Sequence, residues 1–176
     1  MPEEVGQFCD LISRRGFLRS ASLVVLIGSG IPVLAACGGS RAGRPEASAV
    51  TRGTAVTLYR QEGCSCCATY ADYLRENGFT VDMDTMDDLE PIRAEHGVPE
   101  AGVGCHTSVI DGYVVEGHVP VEAIDRLLSE QPDLDGISVV GMPVNSPGMG
   151  EPNGDPLEVL SIRDGRVAAY MSVTTF

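Results

Sequence analysis

Hydrophobic and polar positions divide the chain into an apolar run near its start and a series of short periodic segments from residue 55 onward. Ala55-Val56-Thr57-Leu58-Tyr59 has strand composition and leads into Gln61-Glu62-Gly63-Cys64, after which Ser65–Asn77 carries a helical pattern that Gly78 stops. Phe79–Met83 reads as a second strand, and Leu89–His96 as a short helix halted by Gly97 and Pro99. Thr107–Ile110 and Tyr113–Glu116 form a predicted hairpin through Asp111-Gly112, followed by a helix over Val121–Glu130. The order is βαβαββα, an α/β domain. After Pro132, the stretch Gly141–Met149 is too broken for a helix and is expected to be a functional loop, and Leu157–Arg163 with Val167–Val173 forms a closing hairpin around Asp164-Gly165.

The apolar run Ala21–Ala36 is short and broken by Gly28, Gly30 and Pro32, so it does not resemble a membrane span of about 20 apolar residues. It follows Ser13-Arg14-Arg15-Gly16-Phe17-Leu18-Arg19, and paired arginines before a weakly apolar segment resemble a twin-arginine export signal. Leu34-Ala35-Ala36-Cys37 then resembles a lipobox, in which Cys37 becomes the acylated N-terminus. Residues 1–37 are thus the expected signal, 38–54 a Gly/Ser/Ala-rich tether, and 55–176 the folded domain. The expected location is the outer face of the cell membrane, lipid-anchored, or the periplasm. Cys9 lies before the arginine pair and leaves with the signal.

Charge narrows the function classes. The formal net charge is −13 and every basic residue is arginine, so a nucleic-acid partner is not expected and no lysine-bearing phosphate loop exists. No Ser/His/Asp arrangement has supporting context, which leaves the cysteines as the chemistry. Cys64-Ser65-Cys66-Cys67 crowds three thiols into four residues at a predicted helix N-terminus, where amide groups and the helix dipole favour thiolate. A cysteine cluster in the turn from first strand to first helix resembles the thioredoxin-like fold, and in that fold Cys105-His106 would face Cys64–Cys67.

Three uses of these thiols compete. Four thiolates suit a soft metal, copper first and zinc second. Cys64 and Cys67 also stand in C-x-x-C register, as in dithiol oxidoreductases. Two ordinary disulfides are disfavoured by the vicinal Cys66–Cys67 pair. His106, adjoining Cys105, and His118, between hairpin and helix, are candidate secondary ligands, whereas His96 at a helix end is expected to cap or face solvent. Met142 and Met149 bracket the loop with soft thioethers; Met83 is expected in the core, with the acids around it on the surface.

Residues Tyr59–Gly150 resemble the CopG-type metal-binding proteins of bacterial copper-resistance systems, a family long described only as a domain of unknown function. The match runs through Cys64-Ser65-Cys66-Cys67, Cys105-His106-Thr107, Glu116-Gly117-His118-Val119-Pro120, Met142-Pro143 and Ser146-Pro147-Gly148-Met149. It departs at Ser65 and Asn145, where glycine is common. The resemblance implies a thioredoxin-like fold, an extracytoplasmic site, copper held by Cys64, Cys66, Cys67 and Cys105, and copper redox cycling. Copper-donor or copper-efflux proteins are the partners it implies.

Overall fold

The computed structural model describes residues 52–176. The expected export signal, the Cys37 lipidation site and the tether through residue 51 lie outside the described residues. Strand β1 (Ala55–Arg60) leads into helix α1 (Ser65–Glu76), β2 (Thr80–Thr85), α2 (Glu90–Glu95), a 3₁₀ turn (Glu100–Gly102), β3 (Thr107–Ile110), β4 (Tyr113–Glu116) and α3 (Val121–Glu130). The βαβαββα order read from the sequence is therefore present. A further strand, β5 (Gly136–Ser138), precedes the closing hairpin of β6 (Leu157–Arg163) and β7 (Arg166–Val173).

All seven strands form one sheet in the order β2-β1-β3-β4-β5-β6-β7. β1 pairs in parallel with β2 and antiparallel with β3, Val56 lying opposite Val81 on one side and Ile110 on the other. The hairpin between β3 and β4 turns at Asp111 (φ 50°) and Gly112 (φ 86°), the two left-handed positions that a two-residue primed turn requires. β5 was not expected. Its three residues pair with β4 in parallel and with β6 antiparallel, so it joins the closing hairpin to the rest of the sheet.

Alternation in β1 buries Val56 and Leu58, and they share one core with Tyr70, Ala71 and Leu74 of α1 and Ala123, Ile124 and Leu127 of α3. Met83 packs at the margin of that core while Asp82, Asp84, Asp87 and Asp88 are exposed, as their pattern implies. Among the described residues no helix is long and apolar enough to cross a membrane.

The end of the sheet nearest α1 is held by a buried carboxylate. Glu116, at the last position of β4, is fully buried and accepts from Thr107 Oγ1 at 2.6 Å, the Gly104 amide at 3.0 Å and Arg93 Nε at 3.0 Å. Arg93 also donates to the Gly104 carbonyl at 3.1 Å. One ion pair thus ties α2, β3, β4 and the segment before Cys105 together. Burial pushes the Glu116 carboxyl up, while Thr107, Gly104 and Arg93 hold it down. Removing Glu116 leaves the Arg93 side chain, only 12% exposed, without its buried carboxylate and with the exposed Glu90 at 3.4 Å as a remaining acidic partner. Glu116→Ala is expected to lower unfolding free energy in urea by about 3 kcal/mol. An Arg93→Met/Glu116→Leu double variant should recover most of that, and a single-variant loss under about 1 kcal/mol would contradict the pairing.

Candidate metal centre

α1 begins without a polar cap. Its N-cap residue is Cys64, whose side chain makes no capping hydrogen bond, so the first turn of the helix opens onto sulfur instead of a hydroxyl or carboxylate. Cys64 and Cys66 are half-buried and Cys67 is fully buried in the core. Arg60, at the end of β1, donates to the Cys64 carbonyl at 3.2 Å and fixes the turn into the helix.

Cys105 reaches this turn from the other side of the sequence. Its placement depends on two glycines: a Cβ on Gly104 would lie 2.6 Å from the Gly117 Cα, and Gly117 itself has φ 75° with the Val139 carbonyl against its open side. Only glycine at both positions lets the two strands of backbone touch. The contact is continued by the Gly117 amide donating to the His106 carbonyl at 2.8 Å.

The four sulfurs of Cys64, Cys66, Cys67 and Cys105 consequently lie within 4.8 Å of one another. Cys105 is 3.6 Å from Cys64, 3.5 Å from Cys66 and 3.6 Å from Cys67. Bonds of about 2.3 Å to one tetrahedral ion would hold sulfurs roughly 3.8 Å apart, close to the spacing of Cys105 from the other three, whereas Cys64 and Cys67 would first have to be reduced and part. Cys64 and Cys67 are joined in a disulfide, with Cys66 and Cys105 free. The structure is the oxidised form, in which two electrons and two protons separate the pair from its thiols.

Burial pushes the Cys105 thiol up to about 12, helped by Cys66 and by the charge of Glu116 and opposed by Arg93. The helix N-terminus therefore does not ionise this cysteine; a metal ion would displace its proton.

Behind Cys105 lie two histidines. His106 and His118 are fully buried, with ring centroids 4.9 Å apart, and both pack against the Tyr70 ring, at 4.7 and 5.1 Å. His118 Nδ1 is 2.6 Å from the Pro147 carbonyl. Burial lowers both imidazoles, His106 to about 3 with His118 and Arg93 adding to the effect. His96 instead stands at the C-terminal cap of α2, half-buried, as its position implies. Met142 is 59% exposed and Met149 half-buried. Neither takes part in the sulfur–sulfur contacts.

The loop over residues 141–150 is anchored at both ends. Gly141 donates to Val103 and forms a bridge with Gly104, while Gly148 (φ 78°) lies so close to Tyr70 that a Cβ would be 2.8 Å from its backbone nitrogen. The sequence left Tyr70, Arg93 and the Pro147 carbonyl out of the site. Tyr70 looks like an ordinary apolar position of α1, and a backbone carbonyl leaves no signature in side-chain chemistry.

Residues 103–149, from just before Cys105 to Met149, match a family of proteins of unknown function, DUF411. No curated protein sequence matches the chain. Two solved structures of a copper resistance protein, copG, in its forms 2 and 1, align with TM-scores of 0.63 at 37% identity. They cover 69% of this chain and 99% and 98% of their own. With nearly the whole of those chains spanned at that identity, this protein belongs to the CopG-type copper-resistance family.

Proposed function

We propose that this protein takes up copper outside the cytoplasm through Cys64, Cys66, Cys67 and Cys105, buffering it as part of copper resistance. The observation that carries the reading is the convergence of four sulfurs from two segments about forty residues apart in sequence, within 4.8 Å of one another. Soft thiolates select copper(I) over hard cations, and zinc is the rival ion that a four-cysteine set also accepts. Copper here is cargo. Residues 1–37 act as the twin-arginine lipoprotein signal, and Cys37 carries the lipid that holds the domain at the membrane surface.

The Cys64–Cys67 disulfide favours a second reading, a dithiol oxidoreductase in which that pair takes two electrons and two protons and returns them. The two readings separate at Cys105, which the first needs and the second does not. The family's copper connection and the third thiol, Cys66, weigh toward the first: a free thiol 3.6 Å from Cys64 invites scrambling in an exchange enzyme and serves as a ligand in a metal site.

Reduced anaerobically and loaded with copper(I), the wild-type chain should retain at least one ion, and Cys105→Ser should fall below about 0.2 copper per chain by metal analysis. Full copper retention in that variant, with intact thiol–disulfide exchange, would favour the oxidoreductase instead. Protein kept in the Cys64–Cys67 disulfide form should load less than half the copper of reduced protein, judged by metal analysis beside a free-thiol count. Equal loading of the two forms would remove Cys64 and Cys67 from the ligand set. For the anchor, Cys37→Ser in the full-length chain is expected to shift the protein from the membrane pellet to the soluble fraction. Wild type found mainly in the soluble fraction would refute it.

A further inference from the structure

We propose that the loop over residues 141–150 and the start of β6 form a docking surface for a partner polypeptide, one that presents an apolar side chain or two flanked by arginine or lysine. The inference goes beyond the copper reading and needs no metal, since a copper carrier and a disulfide substrate alike must seat somewhere on the chain.

Among the described residues the exposed large hydrophobic side chains are Val140 (43%), Met142 (59%) and Val144 (75%), all within five consecutive positions. Apolar side chains scattered singly over a surface need no explanation, whereas a group of them marks a contact surface. Beside this group lies a cleft of about 240 Å³ walled by Val139, Val140, Pro143, Leu157 and Leu160, with Glu158 its one charged residue. Small-molecule pockets run to roughly 300–1,000 Å³, so this cleft suits one or two side chains of a larger partner better than a whole ligand.

The exposed side chains stand on a loop held by its own hydrogen bonds. Ser146 donates from its amide and from Oγ to the Pro143 carbonyl, at 3.2 and 2.6 Å, and the Met149 and Gly150 amides donate to the Ser146 carbonyl at 3.0 and 3.2 Å. Asn145 Nδ2 donates to the Asp155 carbonyl at 3.2 Å, which fastens the loop to the segment entering β6. A surface ordered in advance loses little freedom when a partner binds. At the start of the loop Gly141 pairs with Gly104, the neighbour of Cys105. A partner seated on this face therefore stands against the segment that brings Cys105 to α1.

Charge decides what kind of partner fits. Glu158 lines the cleft, Asp155 precedes its Pro156, and Glu151 follows Gly150, which packs on the Val144 carbonyl. All three acids are exposed. No arginine or lysine occurs between Arg126 and Arg163, so the stretch that carries the patch has no cation of its own. Acids beside an apolar patch select a cationic rim on the partner. They also disfavour two other occupants. A second copy docked symmetrically would bring two acidic rims together, and an anionic lipid surface would be repelled.

The test uses the full-length chain, labelled with ¹⁵N and free of copper, so its outcome is separate from that of copper loading. The probe is a synthetic peptide capped at both ends, Arg-Arg-Leu-Gly-Met-Arg-Arg, compared with Arg-Arg-Ser-Gly-Ser-Arg-Arg of the same charge. The first should shift the amides of residues 139–145 and 155–160 and bind at least about fivefold more tightly than the second. Val140→Ser/Val144→Ser should remove that difference. Glu151→Gln/Glu158→Gln should weaken the first peptide about threefold and flatten its salt dependence. All four positions are exposed, so both variants should keep the wild-type unfolding midpoint. Equal binding of the two peptides, or shifts spread to Asp82 and Asp84 on β2, would overturn the proposal and leave only attraction to a chain of net charge −13. Absence of shifts at residues 139–145 with the first peptide would overturn it as well. Binding to phosphatidylglycerol vesicles that Val144→Asp abolishes would assign the patch to a membrane, and a concentration-dependent dimer lost in the same variant would assign it to a second copy; either result overturns the partner named here.

Discussion

A single buried carboxylate governs how the two halves of the candidate site meet. Glu116 accepts hydrogen bonds from β3, from the segment before Cys105 and from α2, so its charge fixes three chain segments relative to the end of β4. A buried carboxylate with one partner would be a liability, because desolvation costs several kcal/mol per ion. Here the remaining lone pairs are satisfied by Thr107 and Gly104, which turns that cost into a demand for one geometry. The same geometry carries Cys105 toward α1 and starts the Gly117-His118 segment on its course.

The electrostatics of the sulfur cluster are divided between its two sources. Cys64, Cys66 and Cys67 sit at the opening turn of a helix, where amide groups favour negative charge. Cys105 has no such support. Burial keeps its thiol protonated up to about 12, and the Glu116 charge adds to that. Four thiolates together would repel one another strongly in this half-buried setting; a soft cation relieves the repulsion, and so does a disulfide. The disulfide pair Cys64–Cys67 and a metal-bound cluster would be alternative answers to one electrostatic problem, which under the proposed function makes the thiol state a condition of copper uptake.

Much of this was legible in the sequence where local chemistry is decisive. Asp111-Gly112 and Asp164-Gly165 announce their hairpins because few other residues adopt a left-handed pair, and all four have positive φ. Helix α3 and strands β3, β4 and β6 begin and end where periodicity puts them. β5 escaped because Gly136-Ile137-Ser138 is too short and too poor in apolar residues to show a period, and its existence depends on β4 and β6 on either side. Arg93 and Glu116 escaped as a pair for a similar reason. A charge in a short helix and a charge at a strand end each look solvated until the fold sets them 2.9 Å apart. The meeting of His106 with His118 depends on the Gly104–Gly117 contact, a steric fact between segments that no spacing within either one encodes.

The loop over residues 141–150 shows how a sequence can mark a region correctly through one feature while the structure uses another. Met142 and Met149 drew attention to it as soft thioethers, yet what the fold visibly takes from the loop is the Pro147 carbonyl. Ser146, buried, donates to the Pro143 carbonyl at 2.6 Å and closes the turn, and Gly148 lets the chain lie flat on α1. That carbonyl chooses the tautomer of a buried histidine grouped with Cys105, and the chosen tautomer leaves Nε2 as an acceptor buried without a hydrogen-bond partner. The chain of dependence runs from a glycine that tolerates φ 78°, through a proline carbonyl, to the donor character of an imidazole. Each step rests on backbone geometry, so an apolar or charged substitution elsewhere on the acidic surface would leave it intact, whereas one methyl group at Gly148 would disturb an imidazole it never touches.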